Sequence, residues 1–488
     1  MKELGTVVRD GRIYLIANLA GRASAFALLP LYGNVLTPTE FGVMALLIMV
    51  NDLLGMVARM GMLQAMMRLY FDAPDQVHRD RVVATAHAMT LGMCLLILVL
   101  AWPVAQVVVP LLQIDGYATA AMLSLVMLAG NVLFGTTSNV FVIRKQPRLL
   151  VWTNVIKSLC LLVLSLVLLL VYDAGVTGAM LAYAVAFGLV AVGLSILEMR
   201  RSGLRPSREL SAAMLRFGLP LVPSAFANVA LQSIDRVFLN ILVGPAAVGY
   251  YALAGRLGHI LQLFIAKPLS QVLIVRRFET LAAGEAQDDF HALQVLYLAI
   301  LLLGALGLGL FGPELVWLLA APDYAAAGPL IGVVALGYAL SALNLSLETG
   351  LLYAKRTHLV SGVAAVMLVI SGPLYWGMIG WLGLWGAALA FLALNVVRLV
   401  ITDRLNASRG TPLIRQPWGR SLLMTGLVVA VYGGAMVSFG DTIGMMPVLV
   451  KVALMLTVTA LILGGPFLEA ATRTALWDLV RRRSVTPA

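Results

Sequence analysis

Fourteen long apolar runs divide this chain, and the segments between them alternate between basic and free of Lys and Arg. The runs cover about residues 12–35, 41–65, 83–107, 118–142, 149–172, 176–198, 214–243, 247–275, 292–311, 328–353, 358–380, 384–402, 420–439 and 446–468. Most approach the ~20 residues that a helix needs to cross a hydrocarbon core. Arg68, Arg79 and Arg81 follow the second run; Arg144, Lys145 and Arg148 follow the fourth. Arg200, Arg201, Arg205, Arg208 and Arg216 follow the sixth, Arg276 and Arg277 the eighth, and Lys355 and Arg356 the tenth. Arg404, Arg409, Arg415 and Arg420 follow the twelfth. With Lys2, Arg9 and Arg12 at the N-terminus and Arg473, Arg481, Arg482 and Arg483 at the C-terminus, these segments hold 26 of the 34 Lys and Arg residues. The seven opposite loops hold none. Cytoplasmic loops retain Lys and Arg during insertion, so both termini are expected in the cytoplasm. A miscounted helix would break the alternation.

The expected fold class is an all-α polytopic membrane protein of about 14 transmembrane helices. A hydrophobic share of 61% with only 12% charged residues, and a mean hydropathy of +0.95, agree. In a soluble chain the net charge of +11 would suggest nucleic acid. Here the inside-positive bias accounts for most of it, and no nucleic-acid partner is expected. Cys94 and Cys160 lie inside apolar runs, with no Cys or His at metal-ligand spacing, so neither a disulfide nor a metal site is expected. The short basic N-terminus leads into a full-length span containing Arg22, which reads as a first transmembrane helix rather than a cleaved signal. Trp102, Trp152, Trp381, Trp385 and Trp418 lie near run ends, where an aromatic belt would place them. The longest outer loop, Gly312 to Gly328, has room for one turn of helix and little else. No soluble catalytic domain and no phosphate-binding G-x-x-x-x-G-K-[ST] loop is present, so neither an enzyme nor an ATP-driven pump is expected.

The chain repeats weakly with a period near 208 residues. Glu40-Phe41-Gly42-Val43-Met44-Ala45-Leu46 aligns with Ala247-Val248-Gly249-Tyr250-Tyr251-Ala252-Leu253, and Gly175–Ala182 with Gly383–Ala390; Arg144-Lys145 falls opposite Lys355-Arg356. Each repeat holds six runs. An even number inserts both copies in one orientation, related by a pseudo-two-fold axis along the membrane normal. The expected organisation is an N-terminal lobe over 1–205, a C-terminal lobe over 206–406, and a linker with two further helices and a basic tail over 407–488.

Charges inside spans cost ~2.5–3.5 kcal/mol each at the bilayer centre and usually face a cavity or a partner. Eight are basic: Arg22, Arg59, Lys157, Arg236, Arg256, Lys267, Arg398 and Lys451. Asp52, Asp235 and Glu348 are the accompanying acids. Arg398 and Lys451 lie near run ends and are expected to snorkel to the headgroups; for Arg59 and Lys157 snorkelling and a cavity role are equally open. Arg22 sits near the middle of the first run, one turn from Asn18, and an ion pair with Asp52 would account for it structurally. Asp52, Gly55 and Arg59 share one helical face. The seventh run carries a polar strip of Asn228, Gln232, Asp235, Arg236 and Asn240. The eighth places Arg256, Lys267 and Gln271 on one stripe, with His259 one turn from Arg256. Asp–Arg contacts between these helices, or to the first, would be a purely structural use. The alternative is a wet, net cationic cavity in which guanidinium groups bind an anionic, phosphate-bearing cargo. Asn18, Arg22, Arg59, Gln232, Arg236, Arg256 and Lys267 are the candidate binding residues. Asp52, Asp235, His259 and Glu348 are the in-span candidates for ion pairs or for Na⁺ or H⁺ coupling; no other cofactor is implied.

Three stretches resemble the polysaccharide-transporter family, the Wzx-type lipid-linked oligosaccharide flippases of the multidrug/oligosaccharidyl-lipid/polysaccharide (MOP) exporter superfamily. They are Thr37-Pro38-Thr39-Glu40-Phe41-Gly42; Gly61-Met62-Leu63-Gln64-Ala65-Met66-Met67-Arg68; and Phe217-Gly218-Leu219-Pro220-Leu221-Val222-Pro223 with Ser233-Ile234-Asp235-Arg236, Val248-Gly249-Tyr250-Tyr251 and Arg256. The resemblance spreads over about residues 1–405. It implies a MATE-like fold that moves a polyprenyl-diphosphate-linked oligosaccharide, such as an O-antigen or exopolysaccharide repeat unit, across the bacterial inner membrane by alternating access. It also implies Arg22 and Arg256 as cavity cations and Asp235 and Arg236 as a signature pair. Membrane lipids, and polysaccharide polymerase or export machinery, are the partners it implies, with a monomer as working unit. Three other functions fit the span count. A cation-coupled drug antiporter would need an acidic cavity, a glycan polymerase or ligase usually has a large outer loop, and a non-transporting scaffold of a glycan assembly complex would need no cavity.

The loop alternation predicts the outcome of cysteine labelling. In a background lacking Cys94 and Cys160, cysteines at Thr37, Asp115, Asp323 and Asp441 react with impermeant maleimide from outside, and those at Asp75, Arg205 and Arg409 do not. Labelling at Asp75 from outside would contradict the topology.

Overall fold

The computed structural model describes residues 27–203, 205–274, 287–408, 417–439, 442–465 and 467, with side chains of 287–290 excluded. Among them are thirteen helices long and apolar enough to cross a membrane, and no strand. They coincide with the second to fourteenth apolar runs; of the first run only the helix 27–35 (α1) is described. The chain is a multi-pass membrane protein. It divides into two compact units, Met1–Gly249 and Tyr250–Ala488.

In the first unit α1 is followed by α2 (Pro38–Ala58), α3 (Met62–Asp72), α4 (Gln76–Leu111), α5 (Ala118–Ile143), α6 (Pro147–Leu166), α7 (Gly175–Ser202), α8 (Arg208–Gly218), α9 (Val222–Leu231) and α10 (Ile234–Leu242). α11 (Pro245–Ile260) runs across the boundary. Sequence chemistry sets the ends. Thr37 and Glu40 close a capping box at the start of α2, with Pro38 in the first turn, where its missing N–H is no loss. Asp75 caps α4: its carboxylate accepts from His78 N at 2.8 Å and lies 2.7 Å from His78 Nδ1, bonds that hold its carboxyl below the usual carboxylate range.

Apolar burial does not hold helices together in lipid, so close packing of small residues and interhelical hydrogen bonds take over. α5 sits against both α4 and α7. A Cβ on Gly130 of α5 would come within 2.8 Å of Gly188 N on α7. Between the same helices run Thr90–Thr136 (2.9 Å) and His87–Thr137–Ser195 (3.3 and 3.1 Å). α6 presents Trp152, Ile156, Leu159 and Val163 outward, a lipid-facing stripe at helical spacing. α2 is gripped at both ends. Gly42 and Gly249, equivalents in the internal repeat, meet face to face: a Cβ on Gly42 would lie 2.9 Å from Gly249 N and overlap Pro245 O, and one on Gly249 would overlap Pro38 O. At the other end Met60 (φ 48°) and Gly61 (φ 65°) break the α2–α3 path, and a Cβ on Gly61 would lie 2.7 Å from Gly218 Cα.

The second unit continues from α11 through a π-helical turn, Leu261–Ala266, into α12 (267–274). It adds α13 (Gln287–Leu310), α14 (Gly312–Leu319), α15 (Leu330–Tyr353), α16 (Thr357–Leu382), α17 (Leu384–Ser408), α18 (Trp418–Phe439) and α19 (Met445–Gly464). Its core lies among α13, α15 and α17, with α18 and α19 packed on α13. The Tyr432 ring of α18 fills the space left by Gly309 and Gly332, and its hydroxyl donates to Pro329 O.

Three expectations need correction. The seventh run is not one regular α-helix: a membrane-length helical span covers Arg208–Leu231, irregular at its middle, and a separate short helix follows. Pro220 and Pro223 supply no N–H, a 3₁₀ turn at Leu219–Leu221 separates α8 from α9, and Gln232-Ser233 separates α9 from α10. The loop after Gly312 holds two turns of α14 and a 3₁₀ turn, Pro322–Ala327, rather than one turn. Trp418 is not simply a belt residue, since its Nε1 donates to the buried Asp403 carboxylate at 2.8 Å.

The glycine contacts yield a stability prediction. Gly42→Ala and Gly249→Ala each force backbones apart at a cost of about 1–3 kcal/mol, so the Tm of the purified protein in detergent falls by several degrees. Gly92→Ala on α4, where a Cβ meets nothing within 4 Å, leaves Tm unchanged or slightly raised.

Candidate functional site

α2, α3, α5 and the α8–α9 turn enclose a cavity of about 540 Å³ in the first unit. Its polar lining comes from Arg59 at the C-terminal end of α2, Gln64, Thr136, Asn139 and Ser224; methionines, leucines and the glycines Gly61 and Gly135 complete it. The break at Met60-Gly61 ends α2 here, so that Arg59 caps a helix rather than continuing one. Its side chain makes no hydrogen bond or ion pair among the described residues. The Asp52 carboxylate, two turns back on α2, is exposed. It lies within electrostatic reach of Arg236 on α10 and, more weakly, of Arg59. Neither arginine closes an ion pair with it. Arg236 Nε is buried without a hydrogen-bond partner among the described residues. The group Asp52–Arg59–Arg236 holds two guanidinium groups, with Asp52 in electrostatic reach of both and Asp235 next to Arg236 as a second acid. A planar guanidinium with free N–H groups beside a polar cavity is suited to a phosphate or carboxylate.

Asp52, Arg59 and Arg236 are thus brought together. Asp235 is buried and accepts from Arg236 N at 2.8 Å. Gln232 ends α9 exposed, its Nε2 donating to Asn228 O at 3.3 Å. Asn18 and Arg22 lie outside the described residues. In the second unit His259 stacks on Tyr338 with ring centroids 5.0 Å apart. The π-helical turn falls between Arg256 and Lys267, so the α-helical stripe expected to carry both is interrupted. Glu348 of α15 is buried and bonded to Arg398 Nη2 of α17 and Asn344 Nδ2, both at 2.8 Å.

That pair, and a second one, correct the snorkelling expected of Arg398 and Lys451. Lys451 is 2% exposed and donates to Glu314 Oε1 at 2.6 Å, tying α19 to α14. Lys157 is half-buried, its ammonium 4.0 Å from the Phe134 ring centroid and 4.6 Å from that of Phe187. The in-span acid–base groups also include one that sequence reasoning missed, His87, which is 1% exposed and bonded to Val83 O at 3.0 Å and to Thr137. Its signal was present as a polar stripe, Asp80, His87, Thr90 and Cys94, at heptad-like spacing on α4. At the basic-loop end of the same unit, Arg144 joins Asp80 (2.9 Å), Ser202 (2.9 Å) and Glu198.

The fold is shared with solved membrane transporters. The lipid II flippase MurJ in an inward closed conformation matches at a TM-score of 0.72 and 11% identity, over 92% of this chain and 98% of that one. An inward-facing multidrug resistance MATE family transporter of the MOP superfamily matches at 0.63 and 16%, over 81% and 94%. A MOP superfamily transporter from Pyrococcus furiosus, described as having a binding pocket of reverse polarity, matches at 0.56 and 16%, over 82% and 95%. The chain therefore has the helical fold of these transporters. A search of curated protein sequences gives no match. A sequence match over residues 7–274 shows that the chain belongs to the polysaccharide biosynthesis protein family.

The buried Lys451–Glu314 pair carries a testable consequence. Lys451→Met leaves Glu314 as a lone, partly buried charge and costs about 3–5 kcal/mol. Adding Glu314→Leu recovers most of the loss, read as Tm of the purified protein; failure of the double variant to recover would contradict the pairing.

Proposed function

We propose that the protein is a flippase that carries the anionic head of a polyprenyl-diphosphate-linked oligosaccharide from the inner to the outer leaflet of the bacterial inner membrane. The observation that carries this reading is Arg59, whose guanidinium lines a cavity of about 540 Å³ and closes no ion pair among the described residues. Membership of a polysaccharide biosynthesis family and a fold shared with a lipid II flippase support it. A diphosphate-sugar head cannot enter hydrocarbon, whereas a prenyl tail stays in lipid. A cavity that opens first to one side and then to the other moves the head alone. With the cell interior negative, outward movement of an anionic head is downhill by about 2.3 kcal/mol per charge per 100 mV. Arg22, Arg236, Arg256 and Lys267 are further cations for the head, and Asn18 and Gln232 are hydrogen-bonding groups for it. If Na⁺ or H⁺ resets the empty cavity, Asp52, Asp235, His259 and Glu348 are the in-span groups for it, Glu348 being paired with Arg398. The working unit is the monomer, handing its cargo to polysaccharide polymerase or export machinery. No catalytic role is proposed.

In cells lacking the gene, lipid-linked saccharide accumulates in the inner leaflet and surface polysaccharide falls. Arg59→Ala at normal protein level reproduces this with transport reduced on the order of tenfold or more, the value of a lost charge-assisted hydrogen bond. Arg59→Lys restores only part, because the fork geometry is lost. Normal surface polysaccharide together with sensitivity to cationic dyes would instead identify a drug antiporter and overturn the proposal.

A further inference from the structure

A second cavity, about 680 Å³, opens at the end of the first unit that carries the basic loops. It shares no residue with the Arg59 cavity. Three turns and helix ends converge on it: the α3–α4 turn, the α5–α6 turn and the last turn of α7. Its inner wall is cross-linked by ion pairs and hydrogen bonds. Arg144 is held by Asp80, Glu198 and Ser202, and Asp80 Oδ1 also accepts from Gln76 Nε2 at 3.1 Å. The two acids of this corner are therefore already occupied by donors.

Three further cations line the cavity, and none makes an ion pair among the described residues. Arg79 lies with its guanidinium carbon 5.5 Å from the Tyr70 ring centroid, which fixes its plane. Lys145 is the exposed residue at the α5–α6 turn, in left-handed backbone at φ 55°. Arg201 is exposed in the last turn of α7. Counting Arg144 with Asp80 and Glu198, the corner keeps an excess of two positive charges. Hydrogen-bond donors are in excess too, since Arg79 Nε and Arg144 Nε are buried without an acceptor among the described residues. Gln146 Oε1 is left over as an acceptor, which suits a hydroxyl on the same ligand.

We propose that this cavity is a binding site for a phosphate group, distinct from the transport cavity, and that its occupant is the head of an anionic phospholipid. Arginine and lysine side chains around a partly enclosed space match phosphate oxygens in charge and donor geometry. The mouth favours a lipid source. Phe71, which lines the cavity, is 60% exposed, as is Val77 beside it. Apolar side chains left bare next to a ring of cations match the boundary between headgroups and acyl chains. Basic pockets of this kind at the inner face of a membrane protein recognise acidic head groups. A phospholipid seated here would brace the ends of α3, α5 and α7 against one another without entering the transport route.

The test uses the full-length protein, purified in mild detergent and offered phosphatidylglycerol or phosphatidylcholine of equal chain length, with retained lipid counted by native mass spectrometry. Phosphatidylglycerol is expected to be retained at least tenfold better than phosphatidylcholine. Lys145→Gln with Arg201→Gln, both at exposed positions that spare the fold, removes that preference. Arg148→Gln with Arg208→Gln removes two exposed basic residues of the same face that do not line the cavity, and keeps it. In a parallel arm, lipid-stripped protein is heated with inorganic pyrophosphate. A Tm rise abolished by K145Q/R201Q, without any lipid preference, supports the phosphate site but assigns it to a soluble ligand. Equal loss in both double variants, or no preference for either probe, overturns the proposal. Because only binding is read, the result is independent of whether the protein flips a lipid-linked saccharide.

Discussion

The first unit is organised around two places where glycine lets backbone touch backbone. Gly42 and Gly249 meet at one end of α2, and Gly61 and Gly218 meet at the other. In lipid no hydrophobic force presses helices together, so contact distance decides how much dispersion attraction each pair gains. A side chain at any of these four positions would hold α2 away from the helix it packs on. The consequence reaches the candidate site directly. Gly61 is both a lining residue of the Arg59 cavity and the pivot of the turn that ends α2, so the same contact that packs the helix sets where Arg59 lies. The contact at Gly42 is also reciprocal. Pro38 O faces Gly249 and Pro245 O faces Gly42.

Much of this was legible in the sequence. Thirteen of the fourteen apolar runs coincide with described membrane-length helices, because length and apolarity alone decide whether a segment spans. The motifs behind the family resemblance prove to be packing devices. Thr37 and Glu40 form the capping box of α2, and the glycines of the other stretches make the close contacts. The two glycines aligned in the weak sequence repeat, Gly42 and Gly249, are also in close contact.

The rest depended on contacts that spacing cannot report. Lys451 and Arg398 read as snorkelling groups because they lie near run ends, yet each meets an acid from a helix distant in sequence, Glu314 and Glu348. The π-helical turn in the eighth run shifts the facing of everything after it, which an α-helical stripe cannot foresee. His87 stands in the sequence as one polar residue in an apolar span, yet it lies in a hydroxyl chain through Thr137 to Ser195. In each case the decisive fact is the partner. The candidate site divides in the same way: Asp52 and Arg59 were placed together by helical spacing, whereas Arg236 joins them only through the fold.

Buried charges in this protein fall into two kinds. Arg144, Arg398 and Lys451 are neutralised by acids and fasten helices to one another. Arg59 closes no ion pair among the described residues, with Asp52 only in electrostatic reach, and the cavity beside it is where an anion would supply further charge. The most direct test reconstitutes the protein in vesicles with a polyprenyl-diphosphate saccharide and follows exposure of the head group under an imposed membrane potential. The account predicts that head groups move toward the positive side, that reversing the potential slows the movement, and that Arg59→Ala abolishes the difference. Movement that ignores the sign of the potential and is unchanged in Arg59→Ala would contradict it.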